Sequence, residues 1–167
     1  MRWCYEELAD LAAYLEGEVE ETGFPGVCVV HTHRRITDSI DDALRLYKFS
    51  FARRIVVPLD CARERGELMN ILKNIFNIMK NVYIEKYSGV RLIVSLRGSS
   101  KRYLSTDALH KLLVEHGVKE DRRSRLVLAI EGLDRIVAVA LGLEKSCGYG
   151  CLLVRPENAL LEALLST

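Results

Sequence analysis

Short β-branched runs that are apolar on both faces recur along this chain, separated by stretches with a helical apolar period. That alternation restricts the fold more than any other feature. Residues 27–30, 55–57, 126–130 and 136–143 read as strands without a polar face, as expected of a sheet covered on both sides. Leu8, Leu11, Ala12 and Leu15 mark one face of a helix over 5–17. Ile40, Ala43, Leu44 and Tyr47 mark a second over 39–48, capped by Thr37, Asp38 or Ser39, and Leu68, Ile71, Leu72, Ile75, Met79 and Val82 mark a long third over 67–84. Residues 90–96 alternate as a strand. A helix opened by Ser105 or Thr106 runs to His116 and stops at Gly117. A last strand over 149–154 leads to Pro156, read as the N1 residue of a closing helix to Leu165. The pattern predicts an α/β (α+β) fold, with helices covering a mixed sheet. The polar stretch 59–66 is the expected boundary, giving a first portion over 1–62 and a second over 63–167.

No apolar run approaches the roughly 20 residues of a membrane span. The start, with Glu6 and Glu7 close behind Met1, lacks the basic and apolar regions of a signal peptide. The chain therefore reads as a cytoplasmic protein without membrane attachment. Five cysteines (Cys4, Cys28, Cys61, Cys147, Cys151) form no regular framework and are expected to be scattered thiols. The absence of Gln and the scarcity of Asn fit a thermophilic source, where a disulfide would be less surprising. The net charge of +1 hides a polarised chain. Residues 1–26 hold seven acids against Arg2, whereas residues 86–125 hold ten bases against four acids. A phosphate backbone responds to the local stripe rather than to the total.

Catalytic constellations are missing from the sequence. His31 and His33 share a strand face but find no third metal ligand, and Cys147 and Cys151 have no second ligand pair nearby. Ser99 and Ser100 sit in no nucleophile elbow, Gly148-Tyr149-Gly150 opens no dinucleotide-binding helix, and no phosphate-binding loop occurs. No enzyme activity, metal or cofactor is expected. The segment 97–102 is a better lead, because it joins a strand to a helix start, where free N–H groups attract anions. Gly98 allows close approach, Arg97, Lys101 and Arg102 supply charge, and Tyr103 can stack on a base or ribose. A solvated basic loop is the competing reading. Arg122, Arg123 and Arg125 either extend the patch or fill an exposed loop.

The stretch from Val90 to Gly98, the helix start Leu104-Ser105-Thr106-Asp107-Ala108-Leu109, and the apolar runs 126–130 and 136–141 together resemble a THUMP domain. Residues 37–59 are similar to the ferredoxin-like portion that accompanies it, and 151–156 to the end of stand-alone archaeal THUMP proteins. The resemblance covers the chain from about residue 24. It departs at Gly132-Leu133, where family members often carry Asn-Pro, and at a stunted N-terminal strand. It implies an abbreviated ferredoxin-like portion over 1–62 and a THUMP domain over 63–167. It also implies tRNA binding, with Arg91, Arg97, Lys101 and Arg102 matching the family's basic strand and turn and Ser105 its helix start. Gly98, Tyr103, Lys111, Arg122 and Arg123 complete the candidate RNA-binding set. With little chain after Pro156 the expected role is an adaptor. It would present tRNA to a separate modifying enzyme, the nearest architecture being the partner of a tRNA cytidine acetyltransferase that makes N4-acetylcytidine. The alternative is a protein-interaction or oligomerisation module without RNA binding.

Overall fold

A computed structural model describes residues 3–33, 36–47, 49–83 and 86–165. The elements are α1 (Trp3–Tyr14), β1 (Gly17–Glu21), β2 (Cys28–Thr32), α2 (Ile36–Leu46), β3 (Arg54–Val56), β4 (Asp60–Ala62), α3 (Arg65–Val82) and β5 (Arg91–Arg97). A 3-10 turn (Gly98–Arg102) follows, then α4 (Thr106–Glu115), β6 (Leu126–Leu133), β7 (Ile136–Gly148), β8 (Cys151–Val154) and α5 (Asn158–Leu165). β1 and β2 pair by themselves, and the other six strands form one sheet in the order β3-β8-β7-β6-β5, with β4 also on β7. β5 and β6 are parallel, while β6–β7 and β4–β7 are antiparallel. The fold is therefore mixed α/β with a mixed sheet. Among the described residues no helix is long and apolar enough to cross a membrane.

Two compact units divide the chain, one of residues 1–57 with 145–153, the other of residues 58–144 with 154–167. The division falls near the expected boundary, but 145–153 returns to the first unit instead of staying with the second. β7 explains this, because it does not stop at Leu143 as the sequence reads but runs on through Glu144-Lys145-Ser146 to Gly148. In the first unit Leu11, Leu15, Ile40, Ala43, Phe49, Val57 and Leu153 form a small core. Its β1 is an acidic strand that periodicity does not reveal. It exists because it pairs with β2 from Gly17–Thr32 to Glu21–Cys28. In the second unit α3, α4 and α5 cover one face of β6 and β7, with Leu68, Leu72, Phe76, Leu112, Leu128, Ile130, Val139 and Leu160 in a single cluster. The polar stretch read as the boundary contains β4, held where the Leu59 N–H donates to the Val139 carbonyl at 2.8 Å.

Helix ends follow local chemistry. Ser105 caps α4, its hydroxyl accepting the Ala108 N–H at 3.2 Å, and Gly117 at φ +64 ends it. His116 closes the last turn with Nδ1 2.9 Å from the Leu112 carbonyl. Pro156 is not at N1, because α5 starts two residues later at Asn158. α2 starts three residues before Ser39, which is therefore not its cap. The side chains of Thr37 and Asp38, and the expected helix ends Lys48 and Ile84, lie outside the described residues.

The scattered-thiol expectation is corrected. Cys4 is bonded to Cys28 and Cys147 to Cys151, leaving Cys61 free and exposed. α1 and β2 bring the first pair to a Cα separation of 6.3 Å, and the β7–β8 turn brings the second to 5.1 Å, both within disulfide reach.

Leu128 is fully buried in β6. Leu128→Ala should cost about 2–5 kcal/mol in urea unfolding, the range for a large apolar side chain removed from a core. Tyr83, at the end of α3, is 4% exposed, and its hydroxyl has no hydrogen-bond partner among the described residues. Desolvation, then the Glu157 carboxylate and then Tyr87, push its pKa from 10.0 up to about 12. The folded state thus holds this proton more tightly than the unfolded chain. Its contribution to stability is complete below pH 10 and is lost as pH rises towards 12. Unfolding at stepped alkaline pH should show that fall in the wild type and a flatter profile in Tyr83→Phe.

Candidate nucleic-acid interface

The candidate surface grows from β5 and the connection that follows it. Gly98, at φ +62, lets the chain leave the strand in a left-handed step. The buried Ser100 hydroxyl accepts the Arg97 N–H at 3.0 Å and donates to the Arg97 carbonyl at 2.7 Å, fixing the 3-10 turn. Gly132 makes room for it, since a Cβ there would collide with the Ser100 side chain.

The turn is less open to an anion than the sequence implies. Asp134 presents its carboxylate to the Ser99 N–H at 3.3 Å, and its own N–H donates to the Arg97 carbonyl at 3.1 Å. One of the N–H groups expected to face a phosphate therefore faces the chain's own acid. At α4, Ser105 takes up the Ala108 N–H in the same way.

Two of the expected cations turn inward. Arg97 Nη1 lies 2.9 Å from Glu131 Oε2 and 3.3 Å from the Ser95 carbonyl. Its side chain is 29% exposed and that of Glu131 15%. Arg91 pairs with Glu144, again with both partners mostly covered. Arg91, Ile93, Ser95 and Arg97 share one face of β5 by alternation, and Glu131 stands opposite Ser95 on β6. The neighbouring β6 thus supplies Glu131, and β7, one strand further on, supplies Glu144. Sequence reading missed Glu131, Glu144 and Asp134 because only the strand register brings them to these arginines and to the turn. Tyr103 is also committed, its hydroxyl donating to the Arg63 carbonyl at 2.8 Å and its ring packed against the core.

Lys101 and Arg102 remain, exposed on the turn. At the other end of β5, Val90 bridges to Glu120, and the loop there exposes Lys119, Arg122, Arg123 and Arg125. Asp121 accepts the Arg123 N–H and the Ser88 hydroxyl, each at 2.9 Å. These two bonds, in that order, hold its carboxyl below the usual range, so the loop keeps one firm negative charge among its cations. The basic segment is therefore not a single patch. Its two halves stand at opposite ends of β5, about 20 Å apart at the usual strand rise. Lys111 is exposed on α4, 3.9 Å from Glu115. Between the two ends lies an open groove of 430 Å³, walled by Leu92, Val94 and Leu96 of β5 and by Leu109 and His110 of α4, with Lys101 and Glu120 also on its lining. Among the described residues no cluster of acids, His and Cys is arranged to hold a metal ion. His31 Nε2 lies 2.7 Å from Glu20 Oε2 across the β1–β2 pair.

Comparison with protein-family models, with curated proteins and with solved structures returned no significant match.

The pairing separates two kinds of arginine and lysine. Arg97→Met should destabilise the protein by about 1–3 kcal/mol, between the ranges for exposed and for buried ion pairs. Lys101→Glu should change thermal stability by less than about 0.5 kcal/mol, as is usual at an exposed site. Equal losses in calorimetry would contradict the inward assignment of Arg97.

Proposed function

We propose that this chain is a THUMP-like tRNA-binding module that holds ribose-phosphate on the second unit and presents the tRNA to a separate modifying enzyme. One observation carries the reading. Of the ten bases between 86 and 125, only Arg91 and Arg97 are drawn inward. Lys86, Lys101, Arg102, Lys111, Lys119, Arg122, Arg123 and Arg125 all reach solvent. Among the described residues, Lys111 alone of these eight makes an ion pair. Unpaired exposed cations at both ends of one strand match the spread of phosphates along a folded RNA better than they match a compact anion. Contacts of this kind position an RNA without reading its sequence.

The roles of the individual residues change accordingly. Lys101, Arg102, Arg122 and Arg123 make the phosphate contacts, with Lys111 on the flank. Arg91 and Arg97 brace the sheet beneath them. Gly98 and Ser105 shape the turn and the helix start, and Tyr103 anchors the turn. The chain contributes binding, and the chemistry belongs to its partner, which the THUMP resemblance makes a cytidine acetyltransferase. The proposed location is a cytosol in which disulfides persist, as in some thermophiles.

Filter binding of unmodified tRNA tests the proposal. If about four phosphates are neutralised, affinity should fall about 100-fold between 50 and 200 mM salt. The double variant Lys101→Glu/Arg102→Glu should weaken binding at least about tenfold at the lower salt. Absence of tRNA retention by the wild-type chain at low salt refutes the proposal.

A further inference from the structure

β5 is the last strand on its side of the six-stranded sheet, and from Leu92 onwards no other described strand pairs with its free side. Exposed edges are usually guarded by charges, prolines, bulges or short length. β5 has seven residues and neither proline nor glycine. Its only charges, Arg91 and Arg97, stand at the two ends and are turned towards Glu144 and Glu131. The middle of the edge therefore carries no guard. Leu92, Val94 and Leu96 point into the groove beside α4, and Val94 is 43% exposed there.

We propose that this edge pairs with the same edge of a second copy of the chain, antiparallel across a two-fold axis at Val94. The strand reads Arg91-Leu92-Ile93-Val94-Ser95-Leu96-Arg97, nearly the same in both directions. Antiparallel pairing centred on Val94 sets Leu92 opposite Leu96 of the second copy and Val94 opposite itself. The apolar side chains then meet in direct cross-strand pairs. Charges agree with this register. Lys101 lies where β5 ends and Glu120 where it begins, and both line the groove. Reversing one strand against the other brings Lys101 of each copy to the Glu120 end of its mate. This is the self-complementarity that a two-fold interface requires. Arg91 would meet Arg97 of the second copy, and the carboxylate each already holds offsets their repulsion. Single-stranded RNA fits the groove less well, because its walls are mostly aliphatic and His110 is the one ring on its lining that could stack on a base. A strand from a different protein would have no need of the near-palindrome.

The inference shares Lys101 with the proposed tRNA surface but does not rest on tRNA binding, and its test contains no RNA. Sedimentation equilibrium of the full chain should show a dimer at about 10 µM, and Val94→Lys should raise the dissociation constant at least about 100-fold, or about 2.7 kcal/mol, with an unchanged circular dichroism spectrum. Lys101→Glu should weaken the dimer, and adding Glu120→Lys should restore it. Val94→Cys in a Cys61→Ser background should cross-link two copies on mild oxidation. Antiparallel partners stand about 4.5–5.5 Å apart at Cα, within disulfide reach. Val114→Cys, on the exposed side of α4, should give no such product. A chain that stays monomeric at about 100 µM, or a dimer indifferent to Val94→Lys, overturns the proposal. The first outcome leaves the edge to another protein's strand.

Discussion

Seven residue pairs, from Arg91–Val127 to Arg97–Leu133, hold β5 parallel to β6. A parallel pair cannot be closed by a tight turn, so the chain must leave the end of β5 and travel back to the start of β6. α4 makes that return journey. The turn before it and the loop after it must then stand at opposite ends of the strands. The distribution of the basic residues follows from this geometry, since 98–102 occupies one end and 119–125 the other. A charge stripe that is continuous in sequence becomes two separate clusters with an apolar groove between them.

The same sheet decides which cations are available to a partner. A strand places alternate side chains on one face, and adjacent strands bring their own alternate residues beside them. Arg97 meets Glu131 of β6 in this way, and Arg91 reaches Glu144 of β7 past the start of β6, each pair at the margin between core and solvent. Side chains beyond the end of a strand have no such neighbours. That is why Lys101, Arg102, Arg122 and Arg123 keep their charge exposed. The withdrawal of the two strand-end arginines has a second effect, because it removes the charges that would otherwise guard the β5 edge. The chemistry of the surface and the accessibility of the edge thus share one cause.

Each unit keeps its own core, and they differ in how much apolar material they hold. The second unit gathers residues from three helices and several strands into one cluster. Among the described residues the first buries fewer apolar side chains, and both disulfides belong to it. Small cores gain most from such cross-links, which restrict the unfolded chain when burial alone is limited.

Sequence alone was enough for the mixed α/β class, for most helices and strands, and for the cap and stop of α4, because these depend on periodicity and on residues close together in the chain. Ser105 and Gly117 act through backbone groups a few positions away, so their roles are legible without a fold. β1 and β4 were not legible. They are short and polar, and only pairing with β2 and β7 makes them strands. The candidate site divides in the same way. The composition of the turn and the identity of its cations were readable from 97–102. The disulfide partners, the carboxylates that hold Arg91 and Arg97, and the acid facing Ser99 were not. Those contacts join residues 24, 53, 34 and 35 positions apart in the longest cases, and no local pattern encodes a register between distant strands. Tertiary structure decided which charges face solvent because ion pairing depends on distances of a few ångströms, which exist only once the sheet is assembled.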